Sequence, residues 1–380
     1  MQRMFLLTAL LFAAACTLAA QSVGKTRMYY VAADEVEWDY APHNMDHMTG
    51  KPFDSRAMIF IERGPNRIGK VYRKALYREY TDASFKTLKP RPKEWEHLGA
   101  MGPALRGEVG DTIRVVFRNN ATQRYSMHPH GVFYKKDSEG ALYSDGTSGA
   151  DKKDDAVLPG DTHTYVWEIP ERAGPFPGEG NSVVWLYHSH TNEPKDVNAG
   201  LIGTILVTAR GQSKPDGSPK DVDREFITLF MVYDENQSWY LDHNIRAYAS
   251  DPKSIDRGEF SPVDVDGNSS LFIGGGFATV NHKFTINGYL FGNMPTMTMK
   301  KGDCVRWYLV TIGDGFNFHT PHWHGNVVLH DRKRTDVLAL APAEMKVADM
   351  VADNPGKWMF HCHISDHLEA GMHAHYEVLP

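Results

Sequence analysis

Cysteine is scarce in this chain: three residues in 380, one of which, Cys16, lies in an apolar stretch near the start. So few thiols exclude a disulfide framework, and the other two, Cys304 and Cys362, allow one bridge at most. Positive charge is not in excess either. Lys and Arg number 41 against 47 Asp and Glu, a formal net charge of −6, which excludes the basic field by which proteins hold nucleic acid. Beyond residue 20 no apolar run is long enough for a transmembrane span.

The apolar stretch that does exist comes first. Residues 4–20, MFLLTALLFAAACTLAA, follow Arg3 and end in small residues, the pattern of a secretory signal peptide. The expectation is an exported protein, periplasmic or secreted, whose mature chain begins near Gln21. Cys16 after Ala14 and Ala15 also allows cleavage to a lipid-anchored form. The remainder exceeds one comfortable core. Its 33 Gly and 21 Pro, with Val, Thr, Tyr and Phe in short runs between turn residues, point to an all-β fold.

The chain repeats itself. GDTIRVVFRN (110–119) resembles GDCVRWYLVT (302–311), and each is followed by a His pair ending in Gly, HPHG (128–131) and HWHG (322–325). WLYHSH (185–190) then matches WMFHCH (358–363), and both halves close on a Gly and an apolar final run. A polar segment rich in Gly, Pro and Ser around residues 210–223 separates them. The boundaries are therefore a signal peptide at 1–20, domain 1 at 21–210, a linker at 211–222 and domain 2 at 223–380, each domain a Greek-key sandwich or barrel. Residues 134–160 and 242–280 are expected to be loops.

Histidine is concentrated in HPHG, HSH (188–190), HTPHWHG (319–325) and HCH (361–363). A His-x-His step on a strand puts both imidazoles on one face, because side chains alternate. In HCHISDHLEAGM the same alternation turns His361 and His363 to one face and Cys362 to the other, so adjacent metal sites could share a tripeptide. Cys362, His367 and Met372 follow at steps of five. With one more His they offer the His2Cys and axial Met set of blue copper. A disulfide from Cys362 to Cys304 is the competing reading, but it gives the flanking histidines no role. Cys304 reads as a small buried hydrophobe on a strand.

As an ordered set these motifs resemble the multicopper oxidases. YREYTDASF, EHLGAMGP, HPHGVFYKKDSEGALYSDGTSG, YHSHTNEPKDVNAGLIG and DENQSWYLDHNI extend the likeness to ceruloplasmin and hephaestin over most of the mature chain. The resemblance implies two cupredoxin domains and four coppers per subunit. His319, Cys362, His367 and Met372 would hold type 1 copper, and His128 and His322 type 2. His130, His188, His190, His324, His361 and His363 would hold the type 3 pair. Aligning the halves places Tyr125, Ser189, Pro194 and Leu201 where domain 2 has its type 1 ligands, so domain 1 should lack that copper. The implied reaction is one-electron oxidation of a phenol or of iron(II), coupled to four-electron reduction of O2 to water.

Further expectations follow from the likeness. Asp145 stands where such oxidases carry an acid for proton delivery, although a turn Asp before Gly explains it almost as well. Asp366 matches an acid used for iron(II), but its companions do not match: His243 and Tyr248 stand there, beside Asp242. Lys136, Asp151, Asp154 and Asp155 have the spacing of a calcium loop, or of a solvated acidic loop. Two rival functions remain, a copper nitrite reductase and a non-catalytic copper-binding or copper-tolerance protein. The first would carry type 1 ligands in domain 1. The second would favour Met-rich tracts, and NMPTMTM (293–299) reads rather as core. In ceruloplasmin the cluster lies between the first and last of six domains in a ring, so a two-domain chain would rebuild it as a homotrimer.

Overall fold

The computed structural model describes residues 24–259, 262–265, 268–315 and 317–380. The proposed signal peptide and Cys16 lie outside the described residues. Each half is a pair of sheets built on one plan. In the first half, one sheet runs Val71–Tyr80, Thr26–Asp39, Thr112–Asn119, Thr162–Glu168, and the other Ala104–Glu108, Ile202–Thr208, Ser182–His188, His128–Pro129. In the second half His282–Ile286, Arg224–Asp234, Cys304–Val310 and Met345–Val351 repeat the first order. Met297–Lys300, His373–Leu379, Gly356–Cys362 and Pro321–Trp323 repeat the second. Even the sense of pairing recurs: Thr26–Asp39 runs parallel to Thr112–Asn119, as Arg224–Asp234 does to Cys304–Val310.

Alternation explains the strands. In Thr112–Asn119 the residues Ile113, Val115, Phe117 and Asn119 are buried and their neighbours are not, so one face meets the opposite sheet. Ile202–Thr208 is buried throughout, as a strand covered on both faces must be. The second core centres on Trp307, whose ring lies 5.1–5.7 Å from Phe226, Trp323, Phe360 and Tyr376. Deleting such a side chain costs roughly 3–5 kcal/mol.

The glycine ending each His pair is fixed by packing. Gly131 has φ +74°, and a Cβ there would come within 2.1 Å of the Trp185 ring. Gly325 has φ +73°, and a Cβ would come within 2.5 Å of Trp358. The left-handed backbone and the tryptophan lid both demand glycine.

The halves are packed together by more than the linker. Arg306 is 1% exposed, with Nη2 2.8 Å from both Asp221 and Asp349 and Nη1 2.8 Å from Ser182 Oγ. Glu225 accepts from Arg106 across the same junction at 2.8 Å. Residues 40–70, after the first strand, lie on the second half: Lys283 Nζ donates to the carbonyls of Phe60 and Gly69. Nothing in their sequence announces this.

Two expectations need correction. Cys304 is exposed, because it opens its strand beside a turn rather than standing inside the sheet. Residues 242–280 hold most of a helix, Leu241–Tyr248, then a strand pair, Pro262–Val265 with Asn268–Gly274, and a short helix, Phe277–Val280. Polar composition masked them, since the helix buries only Asn244 and Ile245. The segment 134–160 is mostly irregular but contains 3-10 turns at Lys136–Ser138 and Gly149–Lys152. Among the described residues no helix is long and apolar enough to cross a membrane.

Candidate metal centre

Three donor groups converge between the sheets of the second half. His319 Nδ1 and His367 Nδ1 are 3.2 Å apart, and Cys362 Sγ lies 3.6 Å from His367 Nδ1 and 4.0 Å from His319 Nδ1. Late first-row metal ions bind thiolate at about 2.3 Å and imidazole at about 2.0 Å, so one ion fits within the triangle. Cys362 ends the strand Gly356–Cys362, and the short helix Ser365–Glu369 returns His367 toward it. Two backbone bonds close that loop, Cys362 N–H to Met372 O and Met372 N–H to His367 O, which brings the buried Met372 back beside the cysteine's strand.

Neighbours aim these donors. His319 Nε2 lies 3.3 Å from Asn317 Oδ1, so this nitrogen carries the proton and Nδ1 presents its lone pair inward. The Thr320 N–H donates to Cys362 Sγ at 3.3 Å. Phe230 and Phe284 pack on the two imidazoles. Burial holds His367 neutral down to about 4 and His319 well below its ordinary value, and it raises the Cys362 thiol.

On the outer face of the same sheet His322 stands opposite His361 in register. His324 Nε2 and His361 Nε2 are 3.0 Å apart. The His322 ring stacks 5.1 Å from His361 and 5.2 Å from His363. His361 Nδ1 donates to the Cys362 carbonyl at 2.7 Å, which frees Nε2 for a ligand. His322 Nδ1 is buried and has no partner. A donor set of four imidazoles with an orphaned nitrogen fits a metal cluster better than a hydrogen-bonded core.

The first half repeats this group. His128 stands opposite His188, and His130 Nε2 is 3.1 Å from His188 Nε2. The His190 ring lies 5.2 Å from that of His128. His188 Nδ1 faces the carbonyl of Ser189 as His361 faces that of Cys362. Among the described residues no ring contact or nitrogen contact joins this set to the second: every one lies within its own half.

The first half lacks the buried thiolate site. Ser189 Oγ accepts from Ser126 N–H at 3.0 Å, the counterpart of Thr320 N–H on Cys362. Ser189 N–H bonds Leu201 O as Cys362 N–H bonds Met372 O. The backbone device is shared and the donors are gone. Asp196 fills the space: it accepts from Ser189 Oγ at 2.7 Å and from Trp239 Nε1 at 2.8 Å.

The acidic candidates are placed as follows. Asp145 is held by Lys152 at 2.8 Å, Lys136 at 3.2 Å and the Thr147 hydroxyl, and these partners, Lys152 foremost, keep it well below the carboxylate range. Asp154 and Asp155 are buried while Asp151 is exposed. Asp154 Oδ2 accepts from Gly140 N–H, but Oδ1 has no partner, and burial lifts the group to about 6. An orphaned carboxylate oxygen suits a hard cation. Lys136 Nζ is engaged by Glu139, Tyr143 and Asp145. Asp366 is half-buried beside His367, whereas Asp242 is paired with Arg257 at 2.6 Å.

Known proteins are similar to this chain over most of its length. Multicopper oxidase family profiles match residues 98–212 and 271–380, together more than half of the chain. Ferroxidase HEPHL1 of Mus musculus is 46% identical over 356 residues, hephaestin of Homo sapiens 40% over 359, and ceruloplasmin of Homo sapiens 37% over 354. Each alignment covers 93% of this chain but only 29%, 29% and 32% of those relatives. The chain thus spans about a third of their length. A solved multicopper oxidase superposes with a TM-score of 0.56 at 17% identity, covering 93% of this chain and 89% of that one. The blue copper oxidase from Nitrosomonas europaea superposes at 0.55 and 18%, covering 93% and 86%. Those two likenesses concern the fold. With the profiles and the long alignments beside the two histidine groups and the thiolate site, the chain belongs to the multicopper oxidases.

Proposed function

We propose that the protein is a copper-dependent oxidase that takes single electrons from a small reductant, a phenol or iron(II), and reduces O2 to water. The observation that carries this reading is the convergence of His319, Cys362 and His367 within 3.2–4.0 Å. Copper, one type 1 ion at these residues with Met372 and three at the histidine groups, would supply the redox chemistry. The chain's own part is connection and shielding. Cys362 is the covalent neighbour of both His361 and His363, so a short peptide joins the thiolate site to the outer face. Trp323 and Phe360, buried on the core side, keep water from that path. Asp145, held by Lys152, Lys136 and the Thr147 hydroxyl, would be the acid that relays protons near the cluster. Lys136 and Asp151 through their carbonyls, with Asp154 and Asp155, would hold calcium there. A nitrite reductase reading is disfavoured by Tyr125, Ser189, Pro194 and Leu201 at the first-half positions. The test is O2 uptake by copper-loaded protein with iron(II) and with a phenol. Four iron(II) consumed per O2 is expected, and no uptake with either substrate overturns the reading.

The assembly belongs to the same proposal. Because the two histidine groups make no contact with each other within one chain, the cluster would form between domain 1 of one subunit and domain 2 of the next, closing as a homotrimer. Mixing inactive His188→Ala and His361→Ala proteins under subunit exchange should restore part of the activity. No recovery would mean a cluster built within a single chain.

A further inference from the structure

Four histidine pairs among the described residues bring ring nitrogens within 3.2 Å of each other. Three are the pairs described above. The fourth, His43 Nδ1 with His47 Nε2 at 2.8 Å, belongs to none of those groups. Two metal bonds of about 2.0–2.1 Å meeting near a right angle separate their nitrogens by roughly 2.8–3.0 Å, so the spacing is that of a chelating pair.

The surroundings are built to hold it. Residues 41–51 leave the first half and lie on the second, where His43 N–H donates to Asn293 Oδ1 at 2.9 Å, His47 N–H to Phe291 O at 3.1 Å and Asn293 Nδ2 to Met45 O at 3.0 Å. The Asp46 carboxylate is fixed by Met48 N–H and the Thr49 hydroxyl. Gly292 presses against His47, a Cβ there coming within 3.0 Å of the His47 Cβ, and donates its N–H to the carbonyl of His373. His373 lies directly opposite His361 in register, and His375 opposite Met359, so both share the face that bears the outer histidine group. His373 is 6% exposed, and its Nδ1 has no partner. The Asp46 carboxylate acts on His47 and His375, opposing the larger effects of burial and of the Lys357 ammonium, and His47 acts on His375.

We infer that His43 and His47 form a further metal site, with Asp46 and His375 at its rim, that takes a late first-row divalent cation. Two imidazole donors suit copper(II) and zinc, and the affinity order of such ions puts copper(II) first. The site is separate from the thiolate and cluster positions, so it stands whether or not the chain proves to be an oxidase.

The test titrates copper(II) sulfate, and zinc sulfate in parallel, into full-length copper-loaded protein freed of loosely held metal. Wild type should take one more ion per chain than His43→Asn/His47→Asn, and the spectrum after titration minus the spectrum before it should show a further electron paramagnetic resonance signal with imidazole nitrogen coupling that the double variant does not gain. Asp46→Asn should weaken this binding about tenfold, as loss of a supporting carboxylate does. Copper should displace zinc. Circular dichroism establishes that the variants fold, and both substituted histidines are on a surface segment. Equal metal uptake by wild type and double variant, or the same added signal gained by the double variant on titration, overturns the inference.

Discussion

His97 offers a direct test of how the halves are joined. It sits in the 3-10 turn Lys93–Leu98 of the first half, 3% exposed, against Phe226 of the second. Its Nδ1–H donates to Glu94 O at 2.9 Å, and its Nε2 accepts the Ile227 N–H at 3.2 Å. A second proton would point at an N–H donor, and burial foremost pulls the pKa from 6.5 to about 3. The sign follows. Between those values the unfolded chain holds the proton and the folded chain does not, so His97's stabilisation is complete above pH 6.5 and is lost as pH falls toward 3. Each pH unit in that window is worth about 1.4 kcal/mol, hence about 2 kcal/mol lost by pH 5. His97→Gln gives up two hydrogen bonds, about 2–3 kcal/mol at pH 7, and has no proton to bind. Urea unfolding of both metal-free proteins should therefore show a gap of about 2–3 kcal/mol at pH 7 that nearly closes at pH 5. The other buried histidines titrate in both proteins and cancel in the difference. A gap constant with pH would refute the reasoning.

Cys362→Ser should leave the far-ultraviolet spectrum intact while abolishing the visible charge-transfer band and all oxidase activity of copper-loaded protein; a variant that stayed blue would remove the thiolate assignment. Asp366→Ala should lower iron(II) turnover more than turnover of a bulky phenol, since its half-buried carboxylate adjoins His367, and equal losses would make it structural. Calcium removal by a chelator should lower wild-type stability by about 2 kcal/mol, about 4–8 °C in Tm. Asp154→Asn should lose that sensitivity, and an unchanged response would place calcium elsewhere.

Much of the architecture was legible because ligand donors need fixed positions. Each His-x-His pair straddles a strand end, with His128, His188, His322 and His361 on strands and His130, His190, His324 and His363 just beyond. The glycine of HPHG and HWHG sits under a tryptophan, so the duplication could be traced motif by motif and the sheets did repeat it. What could not be read depends on residues distant in sequence. The docking of residues 40–70 rests on buried contacts such as Lys283 to the Phe60 carbonyl and the Tyr40 hydroxyl to Glu235. No local pattern encodes these. The helix Leu241–Tyr248 was hidden because it buries so little. Cys304 shows the limit of strand reasoning at a strand's first residue, where the turn rather than the pleat decides exposure. His43 and His47 carried a signal, four residues apart with Met45 and Asp46 between them, but only the fold brings His375 toward them.

The comparison of the halves shows how the first half closes the place where the second gathers His319, Cys362 and His367. Losing a thiolate site by substitution alone would leave a cavity lined with unpaired polar atoms, which costs roughly 1–3 kcal/mol for each group left unsatisfied. The first half avoids that cost by a complete replacement: Ser189 keeps the Ser126 N–H bond, Asp196 takes the hydroxyl and the Trp239 indole, and Tyr125 reaches Tyr240 at 3.1 Å. Trp239 and Tyr240 come from the second half, so the filled site also fastens the halves together. Reinstating donors at Tyr125, Ser189, Pro194 and Leu201 would break that junction as well as rebuild a metal site. The first half thereby presents His128, His130, His188 and His190 while gripping the half that carries Cys362.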